Sequence, residues 1–364
     1  MPPLRLHLKL IIARTMVVLG VFAASVPAAE WAYRRAGVQV AGAMGGFYEP
    51  FGQGSFKPRP NAHSFMNWYS GSFTVNTDST GFRVGDERPD AEAKAPVDIL
   101  VLGDSQAFGQ GLEFERTIVG EFAALAGADG LRVANASVGG HFLRNQVEVA
   151  SWLVSQVGLK PRAVLLCLTP RATGEPEAYS AAHVEDGELW DRPPGRVMKT
   201  RAWLSANSAI YLTVRNAIRN TLGDRAADAN SFFFRYRTGP EQEERTRQLA
   251  EETGKLRAVV EHAGCRLFVC YLPLAVDAEV DALAAAAQPP VTGVSGRAPL
   301  ESAEAAARAV GAPFVDASAA LAQRRREGKP ISLPSDPHYC AETSKLVAET
   351  IYAAVDWPGA CGRR

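Results

Sequence analysis

The chain carries no excess charge of either sign: 39 Lys and Arg residues balance 39 Asp and Glu over 364 positions. A nucleic-acid binder ordinarily carries a basic excess to neutralise phosphates, so the balance argues against that class. Cysteine is scarce. Five in a chain this long do not build a disulfide framework. Cys167 and Cys270 fall in apolar, strand-like runs, where a thiol packs as a small hydrophobe. Cys340 and Cys361 flank the last helical segment and are candidates for pairing if the domain is exported. The histidines are scattered and no close cysteine pair has zinc spacing, so no metal site is expected. Gly103 to Gly111 is rich in glycine but lacks the Lys-Ser/Thr of a phosphate loop. Catalysis is therefore expected to need no cofactor. Repeats are absent too.

The one notable apolar run near the start, Thr15 to Ala29, falls short of the roughly 20 residues a spanning helix needs. Arg5, Lys9 and Arg14 precede it. A charged start, a short apolar stretch and small residues near Val26-Pro-Ala-Ala29 fit a secretory signal. Glu30 interrupts the run, but Trp31 and Tyr33 suit an interface and would extend it into an uncleaved anchor. Residues 1–32 are thus read as a signal peptide or an N-terminal membrane anchor, with an exported, extracytoplasmic domain behind it.

Beyond the N-terminal run, the pattern is one of alternation. Residues 33–96 are rich in Gly, Pro and aromatics and read as a linker that packs on the domain edge, with short strands at Phe73–Thr77 and Gly81–Val84. Strands are expected at Asp98–Leu102, Leu131–Ala134, Ala163–Leu168, Arg266–Tyr271 and Pro313–Val315. Helices are expected at about Glu115–Ala126, Phe142–Val157, Thr246–Ala263 and Ala341–Ala354. Strand and helix in turn imply an α/β fold, a parallel sheet with helices on both faces. Residues 97–357 form this domain and 358–364 a tail. The alternation lapses at about 171–240, too long for an ordinary connection. That insertion holds Glu188-Leu-Trp190, a helix expected around Ser205–Leu222 and the aromatic cluster Phe232–Tyr236, which either shapes a substrate pocket or covers apolar core. Ala-rich Val280–Ala287 and Glu301–Val310 read as surface helices.

The chemistry concentrates at two places. The apolar strand ends abruptly in Gly103-Asp104-Ser105, and open α/β sheets hold their ligands at the carboxyl ends of the strands. Far downstream, Asp336-Pro337-His338 supplies a carboxylate and an imidazole just before the last helix. A serine hydroxyl needs a base to take its proton, and the base needs a carboxylate to hold its tautomer. Ser105 is therefore the candidate nucleophile, His338 the base and Asp336 its orienter. Cys340, close to His338, is a weaker alternative nucleophile.

These residues resemble the SGNH (GDSL-type) hydrolases. Gly103-Asp104-Ser105 matches the first family block, Asn135-Ala-Ser-Val-Gly-Gly140 the second and Asp336-Pro337-His338 the last, in the family's order. The resemblance covers roughly Val97 to Val355. It implies a three-layer, flavodoxin-like sandwich and an oxyanion hole built from the Ser105 and Gly140 N–H groups. The chain departs from the pattern at the third block, where Gly-x-Asn-Asp is replaced by Thr169-Pro-Arg-Ala-Thr-Gly174. Arg171, Thr169 and Asn145 are candidates for the missing donor, with Asn135 more suited to tying its own turn. His141 is either a second imidazole of the site or a surface turn residue. The D-x-H spacing is shorter than the D-x-x-H common in the family, yet one loop still supplies both side chains.

The implied activity is hydrolysis of an O-acyl ester, with an acylated carbohydrate or envelope polysaccharide suggested by similar membrane-tethered members. Acyl transfer to a sugar hydroxyl needs the same triad. A non-catalytic binding or assembly module on the same fold is the alternative of another class. No nucleic-acid partner is expected, and protein partners are left open.

Overall fold

The computed structural model describes residues 16, 25–35, 47–52, 54–68, 71–86, 96–176, 183–185, 188–190, 193–211, 213–215, 233–287, 289–334 and 336–362. The chain divides into two compact units. The smaller comprises residues 1–43 and 194–224; the larger comprises 44–193 and 225–364.

The larger unit is built on an eight-stranded sheet. Its parallel core is made of β6 (Ile99–Leu102), β7 (Val133–Asn135), β8 (Ala163–Leu168), β11 (Arg266–Tyr271) and β12 (Phe314–Asp316). Across the sheet these lie in the order β12-β11-β8-β6-β7, all parallel. Taken in chain order this is 2-1-3-4-5, the flavodoxin-like arrangement of a doubly wound fold. β6 has β7 on one side and β8 on the other, so the order reverses at β6 and its carboxyl end is the topological switch point.

Every residue of β6 and β8 is buried, as strands covered on both faces require. Successive side chains serve opposite faces. Ile99, Val101, Leu165 and Cys167 join one core with residues of the helices Ile118–Ala128 and Ala341–Ala353 and with Trp357. Leu100, Leu102, Val164 and Leu166 join the other, with the helices Leu143–Ser155, Pro240–His262 and Ala298–Ala309. The result is a three-layer α/β sandwich. Ala298–Ala309 buries Ala303, Ala306 and Ala307 fully, so its alanines form a packing face.

Strand positions follow the sequence expectation within one or two residues, and two helix starts differ for local reasons. The helix expected from Glu115 begins at Ile118, because the Thr117 side chain accepts the Gly120 N–H and caps it there. The helix expected from Thr246 begins at Pro240, where proline occupies the first turn and needs no N–H partner. Three antiparallel strands, β3 (His63–Trp68), β4 (Gly71–Thr77) and β5 (Arg83–Val84), extend the sheet beyond β7. β4 contains the strand expected at Phe73–Thr77, and of the strand expected at Gly81–Val84 only Arg83–Val84 forms. A separate hairpin, β1 (Tyr48–Phe51) with β2 (Ser55–Pro58), adds Tyr48 and Phe56 to an aromatic core around Phe73 and Phe108.

Within the insertion, β9 (His183–Glu185) pairs with β10 (Glu188–Trp190). A helix not anticipated from the sequence spans Arg196–Asn207. Of the helix expected around Ser205–Leu222, residues 209–211 and 213–215 are helical, and 212 and 216–222 lie outside the described residues. Of the aromatic cluster, Phe233 and Tyr236 are buried against Val280 and Ala284 while Phe234 is exposed. Phe233 and Tyr236 therefore cover apolar core, and Phe234 does not. Cys340 and Cys361, candidates for pairing, are not joined by a disulfide, and both are buried. The Cys340 Sγ lies 3.3 Å from Thr343 Oγ1, and the Cys361 Sγ lies 3.9 Å from the Asp98 carbonyl. Most of the Thr15–Ala29 run lies outside the described residues. Among those described, no helix is long and apolar enough to cross a membrane.

Candidate active site

Ser105 opens a single helical turn, Ser105–Phe108, directly after β6. Asp104 caps that turn by accepting the Gln106 N–H at 3.0 Å, and Gly109 ends it in the left-handed region at φ 84°. Gly103 makes the turn possible. A Cβ there would stand 2.6 Å from the Ala107 Cβ and 3.1 Å from the Cys167 Cβ, so the strand passes into the turn only without a side chain.

The loop before the last helix brings the other two groups to Ser105. His338 Nε2 lies 2.8 Å from Ser105 Oγ, and His338 Nδ1 lies 2.5 Å from Asp336 Oδ1. The same carboxylate oxygen accepts the His338 backbone N–H at 2.7 Å. This double use of Asp336 is what makes the short D-x-H spacing workable. One carboxylate fixes both the backbone and the ring of the residue two positions on. Asp336 is buried and His338 part-buried.

Gln106 was not singled out by sequence, yet it locks this loop to the nucleophile turn. Its Nε2 donates to the Pro337 carbonyl at 3.1 Å, and its Oε1 accepts the Tyr339 N–H at 3.3 Å. Both backbone groups flanking His338 are thereby tied to the residue after Ser105. Tyr339 is fixed further by its hydroxyl, which donates to the Pro273 carbonyl just past the end of β11. The available signal was a long polar side chain in a turn otherwise made of Ala107 and Phe108, and Gln106 is indeed buried.

The second block closes over the same point. Asn135 ties its turn, as anticipated: its Nδ2 donates to the Ala107 carbonyl and its Oδ1 accepts the Ser137 N–H. A Cβ on Gly139 would lie 3.8 Å from the Ser105 Cβ, so Gly139 abuts Ser105. Gly140 has φ 89°, a conformation that strains any residue with a side chain.

Of the candidates for the absent third-block donor, Thr169 and Asn145 are hydrogen-bonded elsewhere, while Arg171 makes a ring contact. The Thr169 hydroxyl donates to Asp104 Oδ2 at 2.6 Å. Arg171 lies with its guanidinium 4.2 Å over the Phe142 ring; burial lowers its pKa, and the Asp104 charge acts the other way. Asn145 accepts the Phe142 N–H and donates to Ser55 Oγ. His141 is not a surface turn residue. It is fully buried, its Nε2 lies 2.8 Å from the Phe56 carbonyl, and burial pushes its pKa down to about 4. It is a neutral packing imidazole at ordinary pH.

Another residue missed by sequence is Arg83. It is buried, donates to the carbonyls of Phe108, Gly109 and Leu112, and sits over the Phe108 ring at 4.9 Å. Burial pushes its pKa down to about 10, opposed by Glu113 and Glu115. It staples the end of the Ser105 turn to β5. A separate cavity of about 460 Å³ opens beside β11 and β12, lined by Tyr271, Pro273, Asp277, Leu300, Leu321 and Arg325 among others. None of Ser105, Asp336 and His338 lines it.

No family model and no curated protein sequence matches the chain. Solved structures resemble it distantly. The crystal structure of TesA is 13% identical over 71% of this chain and 97% of its own, with a TM-score of 0.38. A mutant of Axe2, an acetyl-xylooligosaccharide esterase from Geobacillus Stearmophilus, is 14% identical over 72% and 98%, with a TM-score of 0.40. The esterase EstA from Pseudoalteromonas sp. is 12% identical over 70% and 94%, with a TM-score of 0.37. Likeness at that level carries no functional inference, which is left to the side chains.

Proposed function

We propose that the chain is a serine ester hydrolase of the SGNH type that cleaves O-acyl esters through an acyl-enzyme on Ser105. The observation that carries this reading is the continuous Ser105–His338–Asp336 hydrogen-bond chain, 2.8 Å and 2.5 Å long, at the switch point of the sheet. His338 Nε2 takes the hydroxyl proton as Ser105 Oγ attacks the ester carbon. Asp336 holds the Nδ1–H tautomer and stabilises the imidazolium that forms. The negative charge on the former carbonyl oxygen meets the Ser105 and Gly140 N–H groups. His338 then returns the proton to the leaving alcohol. A water molecule, deprotonated by the same imidazole, releases the carboxylic acid and restores Ser105.

With the Asn donor absent and Thr169 and Asn145 hydrogen-bonded elsewhere, the proposed hole rests on its backbone donors, with Arg171 the remaining side-chain candidate. One lost donor in such a hole typically costs about 2.7–4 kcal/mol in the barrier, so modest turnover on simple esters is expected. An acylated carbohydrate, exported or in the envelope, is the proposed natural substrate. The N-terminal run tethers or exports the domain. The test is release of p-nitrophenol from its short-chain esters, and of acetate from acetylated oligosaccharides, by wild type and Ser105→Ala. Activity that persists in the Ser105→Ala protein contradicts the reading.

A further inference from the structure

Glu30, which breaks the first apolar run, has a defined job in the smaller unit. Residues 25–35 are helical. Glu30 Oε1 accepts the Ala209 N–H at 2.8 Å, and its Oε2 accepts the Ser208 hydroxyl at 3.1 Å and the Ile210 N–H at 3.3 Å. The carboxylate thus caps the helical turn that follows Arg196–Asn207. Arg34 completes the clasp, donating to Glu30 at 3.0 Å and to the Asn207 carbonyl at 2.8 Å. The N-terminal helix and the insertion helix are one folded piece.

That piece has a one-sided chemistry. Trp31, Val197, Trp203 and Val214 are 65%, 68%, 62% and 53% exposed. Its described cations are Arg34, Arg35, Arg196, Lys199, Arg201 and Arg215, all exposed, and Glu30 is its one described carboxylate. The whole chain is charge-balanced, so the excess is local. On Arg196–Asn207, Arg196, Lys199 and Trp203 share a face by helical spacing. The Arg35 guanidinium stands 5.7 Å from the Trp31 ring centre. Exposed tryptophans among Lys and Arg are the composition of a helix lying in a bilayer interface. The apolar run Thr15–Ala29 leads directly into this piece.

We infer that residues 25–35 and the insertion helix Arg196–Asn207 form a collar that lies on an anionic lipid surface. The collar rests on the proposed membrane tether and is independent of the Ser105 chemistry. The test uses the full chain with Thr200→Cys, an exposed position near Trp203. The described native cysteines are buried, so an environment-sensitive fluorophore goes to position 200. The protein is reconstituted in vesicles of phosphatidylcholine with phosphatidylglycerol, with and without brominated acyl chains. The label is expected to be quenched by brominated lipid and shielded from acrylamide. Both effects are expected to weaken in phosphatidylcholine alone and in a variant carrying Arg196→Glu, Lys199→Glu and Arg201→Glu. A label open to acrylamide and untouched by brominated lipid overturns the inference. So does shielding without lipid quenching, the signature of a second protein copy on this face, and so does failure of the protein to float with the vesicles. Organophosphorus labelling of Ser105 in the same vesicles reads the hydrolase proposal separately.

Discussion

At the scale of single residues, the site depends on how well His338 is held, and Gln106 is the residue that holds it. Removing its side chain frees both backbone groups beside His338 without touching the triad. Misplacement of a catalytic group by about 1 Å can cost up to about 100-fold in rate. Gln106→Ala is therefore expected to lose roughly tenfold or more in kcat with little change in KM. Gln106→Glu keeps the acceptor for Tyr339 N–H but loses the donor to Pro337, and is expected to fall between. The check is steady-state kinetics with a pH profile, since a loosened imidazole also shifts the pH dependence of kcat/KM. An unchanged rate and profile in Gln106→Ala would remove the positioning role. Gly140→Ala should be worse for activity than its size suggests. Its φ of 89° costs a residue with a Cβ about 1–2 kcal/mol, and relief of that strain turns a proposed oxyanion donor away. A variant with wild-type kcat would contradict the role given to Gly140.

At the scale of elements, the parallel strands were legible because they are short, continuous apolar runs bounded by turn residues, and Ser105, the proposed nucleophile, stood out because it follows one. Asp336 and His338 were legible as a pair because one loop carries both. Features that escaped the sequence depend on distance along the chain. Arg83 bonds carbonyls 25 to 29 residues ahead, and Gln106 reaches a loop 231 residues away; no local period reports either. The burial of His141 under the β1–β2 hairpin is likewise a tertiary fact. Asp277 is another. It accepts hydrogen bonds from the Tyr236 and Tyr271 hydroxyls and the Leu274 N–H, tying the end of the insertion to β11. Burial raises its carboxyl from an ordinary 3.8 to about 6, against the pull of those donors and of Arg325. The folded state thus keeps a proton that the unfolded state has released, so this group's contribution falls as pH rises through that window and is lost above about 6. Asp277→Asn is expected to flatten the stability curve between those two values. Urea midpoints across the range measure it, and a slope identical to wild type would show that Asp277 is not the group responsible.

At the scale of the whole molecule, the chain comprises a doubly wound α/β unit that carries Ser105, Asp336 and His338 and a smaller helical unit with a cationic, tryptophan-bearing surface. The N-terminus is expected to carry the domain across a membrane, with Arg5, Lys9 and Arg14 retained inside. A reporter fused at the C-terminus should be active only in an extracytoplasmic assay, and a stable fusion that reports from the cytosol would contradict export. The central proposal, that Ser105 carries covalent chemistry, is open to direct measurement. The folded full-length protein is treated with an organophosphorus probe and the adduct is mapped by mass spectrometry. A single adduct on Ser105, abolished in His338→Ala, is expected. An adduct on Cys340 instead, or an esterase-active protein with none on Ser105, would contradict it.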